Sequence, residues 1–197
     1  MAALAAVAAV ALPAAAAYAL TLPRWLVGAA AAAHPGVVFR VRLRRRRAVA
    51  LTLDDAPGEL TPALLALLAA HGARATFFVI ADAAAKHPQR LADIAAAGHE
   101  IGNHMAFDEP SWRLAPAEFA RQVAQVEELL APHRAAQSAR SSAETTTRWF
   151  RPGHGVFRPH MFATLRAHGL TGALGSAYGC ARDLSTRASA TLSQQRR

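Results

Sequence analysis

Between Ala48 and Ser176, short apolar runs of strand length alternate with longer segments punctuated like helices. That alternation restricts the chain to an α/β architecture with right-handed crossovers and a parallel sheet. Ala48-Val49-Ala50-Leu51-Thr52-Leu53 reads as a buried parallel strand that stops at two aspartates. Pro57 and Gly58 break it, Thr61-Pro62 opens a helix, and Leu64, Leu65, Leu67 and Leu68 give that helix an apolar face until Gly72. Ala75-Thr76-Phe77-Phe78-Val79-Ile80 predicts a second buried strand. A helix from about Pro88 to Ala97 closes at Gly98, where a left-handed cap is needed, and a third strand, Glu100-Ile101-Gly102-Asn103, delivers His104. The spacing predicts another helix over Pro116 to Leu130 with Phe119, Val123, Val126 and Leu130 on one side. An Ala-, Ser- and Thr-rich loop or insertion is expected from about Pro132 to Thr147. Trp149-Phe150 leads into Arg151-Pro152-Gly153, Met161 to His168 reads as helix, and Gly169 to Ser176 as a last strand.

In such a sheet, functional groups gather at the carboxyl ends of the strands. Asp54 and Asp55 stand at one such end, and like charges a few ångströms apart disfavour joint ionisation unless a cation or an arginine compensates. The plainer reading is an Asx-type turn before Pro57. His104 and Asp108 are four residues apart, so both side chains converge on one face if the segment turns helically. With Asp55 they would offer a metal one nitrogen and two carboxylates, whereas a lone loop histidine is more often simply solvated or hydrogen-bonded. Arg151 follows two aromatics and precedes a Pro-Gly turn, from which it could orient Asp54 by a bidentate pair. As an isolated tripeptide, Arg151-Pro152-Gly153 also reads as an ordinary turn.

Outside that core the composition changes. Much of the 53% hydrophobic content is alanine within the first 33 residues, and Met1 to Leu22 contains no charge. Such a segment is about long enough to cross a bilayer, which takes roughly 20 apolar residues. A signal anchor, a cleaved targeting peptide and a buried Ala-rich helix all fit residues 1–34. The first two make the protein membrane-anchored or secreted. The net charge of +9 is concentrated in a local run, Arg40, Arg42, Arg44, Arg45, Arg46 and Arg47. No zinc finger, RNA-binding signature or aromatic interleaving accompanies it, so the run reads as a solvated or membrane-flanking cluster and no nucleic-acid partner is expected. Cys180 is the only cysteine, which excludes an intramolecular disulfide and a CxxC metal site. The expected organisation is therefore residues 1–34 as a hydrophobic segment, 35–180 as one domain and 181–197 as a basic polar tail.

Leu51-Thr52-Leu53-Asp54-Asp55-Ala56-Pro57 resembles the first motif of the NodB-type polysaccharide deacetylases, written T-F-D-D-G-P. Ala75-Thr76-Phe77-Phe78-Val79, Gly98-His99-Glu100-Ile101-Gly102-Asn103-His104 and Phe150-Arg151-Pro152-Gly153 are similar to later blocks of that family in the same order. The resemblance implies a distorted (β/α) barrel that removes N-acetyl groups from chitin-like or peptidoglycan-like amino-sugar polymers. It implies Asp54 as general base, Asp55 and His104 as metal ligands, Arg151 as the residue that tunes the base, and Pro152 and Gly153 as substrate-binding. The implied cofactor is a divalent metal, zinc first, with cobalt or manganese also admissible, and the implied partner is a carbohydrate. Two departures stand out. The family has His-(Ser/Thr)-x-x-His where this chain has His104-Met105-Ala106-Phe107-Asp108, making Asp108 the third ligand. No Leu-x-His block, the source of the family's general acid, follows Gly175, which leaves His154 and His160 as substitutes. The barrel is therefore expected to be incomplete at its C-terminal side, and a catalytically impaired metal- or carbohydrate-binding remnant is the alternative function.

Overall fold

The computed structural model describes residues 24–41, 48–138 and 147–176. Residues 34–174 form one compact unit that holds every described strand, and helix α1 (Arg24–Ala33) lies outside it. The expected membrane segment, residues 1–22, and the basic tail, 181–197, fall outside the described residues, as does Cys180. No helix among the described residues is long and apolar enough to cross a membrane.

Strands β1 (Val37–Val38), β2 (Leu51–Ala56), β3 (Ala75–Val79), β4 (Glu100–Asn103), β5 (Arg148–Phe150) and β6 (Leu170–Ala173) make one six-stranded sheet. Its order is β1-β6-β5-β4-β3-β2 and every pair is parallel. The α/β class and parallel sheet are as expected, while the described strands form an open sheet with β1 and β2 at its edges. The connecting helices are α2 (Thr61–Ala70), α3 (Ala81–Lys86), α4 (Pro88–Ala96), α5 (Pro116–Ser138) and α6 (Pro159–Ala167).

Three expectations are corrected. The apolar run before the aspartates is not a buried strand: β2 starts at Leu51, includes both aspartates, and leaves Val49 93% and Leu51 43% exposed. An edge strand has one neighbour, here β3, so apolar composition alone does not place a strand in the middle of a sheet. Secondly, Pro132 does not end the long helix, because α5 continues to Ser138 with Pro132 on its exposed side. An interior proline removes a helical hydrogen bond, and the pair Arg134 Nη1 to Glu127 Oε2 at 2.5 Å anchors the turn beyond it. Thirdly, α3 was not anticipated. Its six residues carry Asp82 in the first turn and Lys86 in the last, paired at 2.6 Å, both signs complementing the helix dipole.

Helix α5 ties the interior together. Val126 and Leu130 pack with Phe77, Val79, Leu91, Ile94 and Ile101, whereas Phe119 and Val123 one turn earlier pack with Phe150, Met161 and Leu165. All four α5 residues are fully buried, as their helical spacing predicts. The leucines of α2 are less deeply placed, since only Leu68 is buried and Leu67 is exposed.

Candidate active site

The carboxyl end of β2 is irregular. Its register against β3 shifts between Leu53 and Ala56, and Asp55 sits at φ 59°, in the left-handed region that aspartate tolerates better than most residues. The consequence is that two adjacent carboxylates face different partners. Asp54 Oδ1 accepts from Arg151 Nη1 at 2.5 Å, and Asp55 Oδ1 lies 3.5 Å from His104 Nε2.

Arg151 is buried, and its side chain is held from three other directions. Nη1 also donates to Thr52 Oγ1 at 3.0 Å, Nε donates to the Ala173 carbonyl at 3.3 Å, and the guanidinium lies over the Phe78 ring at 4.0 Å. The expected bidentate pairing with Asp54 is thus replaced by a single strong bond, because the fork is shared among β2, β6 and an aromatic face. The backbone of Arg151 serves the other half of the site. Its N–H donates to the Asn103 carbonyl at 2.9 Å, and its own carbonyl accepts from His104 Nδ1 at 2.8 Å. A carbonyl only accepts, so Nδ1 carries a proton, and Nε2 is the ring nitrogen that faces Asp55.

Burial pushes the Asp55 carboxyl above its ordinary value; His104 opposes the shift, and the charges of Asp108 and Asp54 add to it. Asp108 therefore lies within electrostatic reach of Asp55. The segment after His104 does not turn helically, however, since Met105 at φ 75° redirects the chain and leaves Asp108 exposed. Among the described residues no three carboxylate, histidine or cysteine side chains are gathered closely enough to enclose a cation. The structure brings Asp55 and His104 together and leaves Asp108 exposed, outside any such group.

Pro152 and Gly153 are buried, and Gly153 lies against the loop of residues 109–111. The Gly153 N–H donates to Ser111 Oγ at 2.7 Å, and a Cβ at Gly153 would run into the Glu109 carbonyl oxygen. Gly153→Ala is accordingly expected to lower the unfolding free energy by about 1–3 kcal/mol, because the obstacle is backbone rather than a flexible side-chain tip. Urea denaturation checks this, and an unchanged midpoint would show that the loop yields freely. His154, next in sequence, is exposed at φ 61°, and its charge is felt at Asp55. His160 instead is half-buried and packs edge-on against Phe119 at 5.9 Å.

Three residues that shape the site escaped the sequence reading: Thr52, Asn103 and Glu127. The signal for Glu127 was available, because it places a carboxylate on α5 between Val126 and Leu130 of the apolar side. Thr52 and Asn103 gave none beyond their place in the strands that carry Asp54 and precede His104.

The carboxyl ends of this parallel α/β sheet thus pair one aspartate with a buried arginine and its neighbour with a histidine. The chain belongs to the polysaccharide deacetylase family, whose model matches residues 42–173. It is 35% identical over 125 residues to a chitooligosaccharide deacetylase of Bradyrhizobium sp. (strain ANU 289), a match covering 63% of this chain and 53% of that protein. Among solved structures it resembles a peptidoglycan N-acetylglucosamine deacetylase in complex with a hydroxamate-type benzamide, with a TM-score of 0.59 and 27% identity, over 70% of this chain and 60% of that one. It also resembles a mutant of a CE4 family pseudoenzyme with restored enzymatic activity, with a TM-score of 0.58 and 26% identity, over 70% of this chain and 47% of that one. The chain spans about half the length, or less, of the curated relatives it matches.

Proposed function

We propose that this chain is a metal-dependent hydrolase that removes N-acetyl groups from an amino-sugar polymer, chitin-like or peptidoglycan-like. The observation that carries the reading is the division of labour at the end of β2, where Asp54 pairs with Arg151 while Asp55 faces His104. Family membership supports the same chemistry. For a peptidoglycan-like polymer the reading places the protein outside the cytoplasm.

Hydrolysis of an acetamide needs a base for the attacking water, stabilisation of the oxyanion and a proton for the departing amine. Asp54 is the base. Its single strong bond to Arg151 fixes the carboxylate and leaves its second oxygen for a water proton. His104 and Asp55 fit a divalent cation by their donor chemistry: one imidazole nitrogen with its tautomer set from behind by a backbone carbonyl, facing one carboxylate oxygen. Asp108 would be the third ligand, and an oxygen-rich set admits manganese or cobalt beside zinc. When bound, such a cation would polarise the acetyl carbonyl and acidify its water. His154, exposed and near enough to act electrostatically on Asp55, is our candidate for protonating the amine.

Incubating the full chain with a chito-oligosaccharide and with peptidoglycan fragments tests the reading. Zinc, cobalt or manganese should support acetate release, and chelation should reduce it to background. A second reading is favoured by the exposure of Asp108 outside any three-ligand group among the described residues, namely a protein that binds the metal or the sugar without turnover. Saturable binding with no acetate under any of the three metals would replace the first reading with that one.

A further inference from the structure

We infer that Glu127 is a positioning residue for His104, acting from the middle of α5 through Asn103 and β5. The inference rests on the reading of His104 as a ligand-bearing residue of the site. Glu127 lies in the sequence 23 residues beyond His104, outside every motif that suggested the chemistry, and its carboxylate is buried. Oε1 accepts from Asn103 Nδ2 at 3.0 Å. Oε2 accepts from Arg134 Nη1 at 2.5 Å and from an Arg148 Nη2. Burial raises the carboxyl's affinity for a proton, but the two arginines and Asn103 outweigh burial and hold Glu127 below the usual carboxylate range.

The Asn103 amide is fully committed. Its Nδ2 also donates to the Val123 carbonyl at 3.1 Å, and its Oδ1 accepts from the Met105 N–H at 3.0 Å. Asn103 and Met105 flank His104, so the amide bridges the residue on either side of the imidazole and holds Met105 at its positive φ of 75°. A non-glycine residue in that conformation persists only where the surroundings over-determine it. Glu127 sets the plane of that amide, and a rotated amide would offer Met105 an N–H in place of an oxygen. The second path runs through Arg148, which opens β5. That strand ends at Phe150, immediately before Arg151, whose carbonyl holds His104 Nδ1 at 2.8 Å. One buried carboxylate thus fixes the chain on both sides of His104 and the strand that fixes its ring.

Replacing a buried charged cluster by apolar side chains is often neutral for stability, so holding α5 against the sheet does not by itself call for this arrangement. Partners behind a ligating histidine, by contrast, typically contribute about 10–100-fold to metal affinity. Glu127→Gln in the full chain separates the two roles. The expected result is a folded protein whose zinc affinity falls at least about tenfold. In its metal-free form, the ¹⁵N signals of the His104 ring should move from a single Nδ1–H tautomer to a mixture. A folded variant with zinc affinity within about twofold of wild type and unchanged ring signals would overturn the inference. Asn103→Ser leaves the Glu127–arginine pairs in place while cutting the bridge, and it supplies the same two readouts if Glu127→Gln does not fold. Should the wild-type chain bind no zinc, the metal-dependent reading fails on its own, and the His104 ring signals of the metal-free variants still decide the role of Glu127.

Discussion

Asp54→Asn is expected to slow acetate release by about 10²–10⁴-fold, the range over which a positioned base contributes. Asparagine has the shape of aspartate, and its amide oxygen can still accept from Arg151, so the guanidinium keeps its bonds to Thr52 and the Ala173 carbonyl and its seat on Phe78. What disappears is the capacity to take up a proton. The variant should therefore melt close to the wild-type temperature and bind substrate with similar affinity while kcat collapses. That pattern is the signature of an interaction made only in the transition state. Steady-state rates beside thermal melts settle it, and a variant retaining more than about a tenth of wild-type kcat would remove Asp54 from the role of base.

The second large effect concerns stability. Phe119→Ala should cost about 3–5 kcal/mol, since truncating a buried aromatic loses its transfer free energy and leaves a cavity that neighbours fill only in part. Phe119 is fully buried, meets Phe150 edge-on at 5.6 Å, and packs in the cluster with Met161 and Leu165. Its helix also supplies Val126 and Leu130 to the other cluster, so a shift of α5 to close the cavity would disturb both. Urea unfolding gives the number. A loss below about 1 kcal/mol would mean that α5 can relax independently of the sheet.

The alternation of runs was enough to name a parallel α/β sheet, and Glu100–Asn103 and the start of α4 at Pro88 lie where the turn and cap residues put them. Strand position was not legible. Ala48 to Leu53 is as apolar as Phe77 to Ile80, yet only the second is interior, because composition records burial on a strand's faces and says nothing of how many neighbours it has. Pro132 misled for another reason: the helix continues past the proline, with Arg134 beyond it paired to Glu127 before it. At the site, the pairing of Asp54 with Arg151 follows from charge and motif order, and the structure shows it directly. The place of Asp108 did not follow, because an i, i+4 spacing converges only on a helix, and Met105 turns the chain otherwise. The role of the Arg151 carbonyl was equally invisible, since main-chain groups leave no mark on a sequence.

That carbonyl limits what side-chain scanning can reveal here. Arg151 reaches Asp54 with its guanidinium and His104 with its peptide oxygen. A truncating substitution at 151 such as alanine deletes the first contact and spares the second, so an alanine survey would score the position for half of what it does. The hidden half answers only to changes that alter the main chain itself, such as a one-residue slip of β5 past its single register pair with β4, Phe150 against Asn103. Such a slip would take the guanidinium from Asp54 and the carbonyl from His104 at once, with every side chain of the site intact.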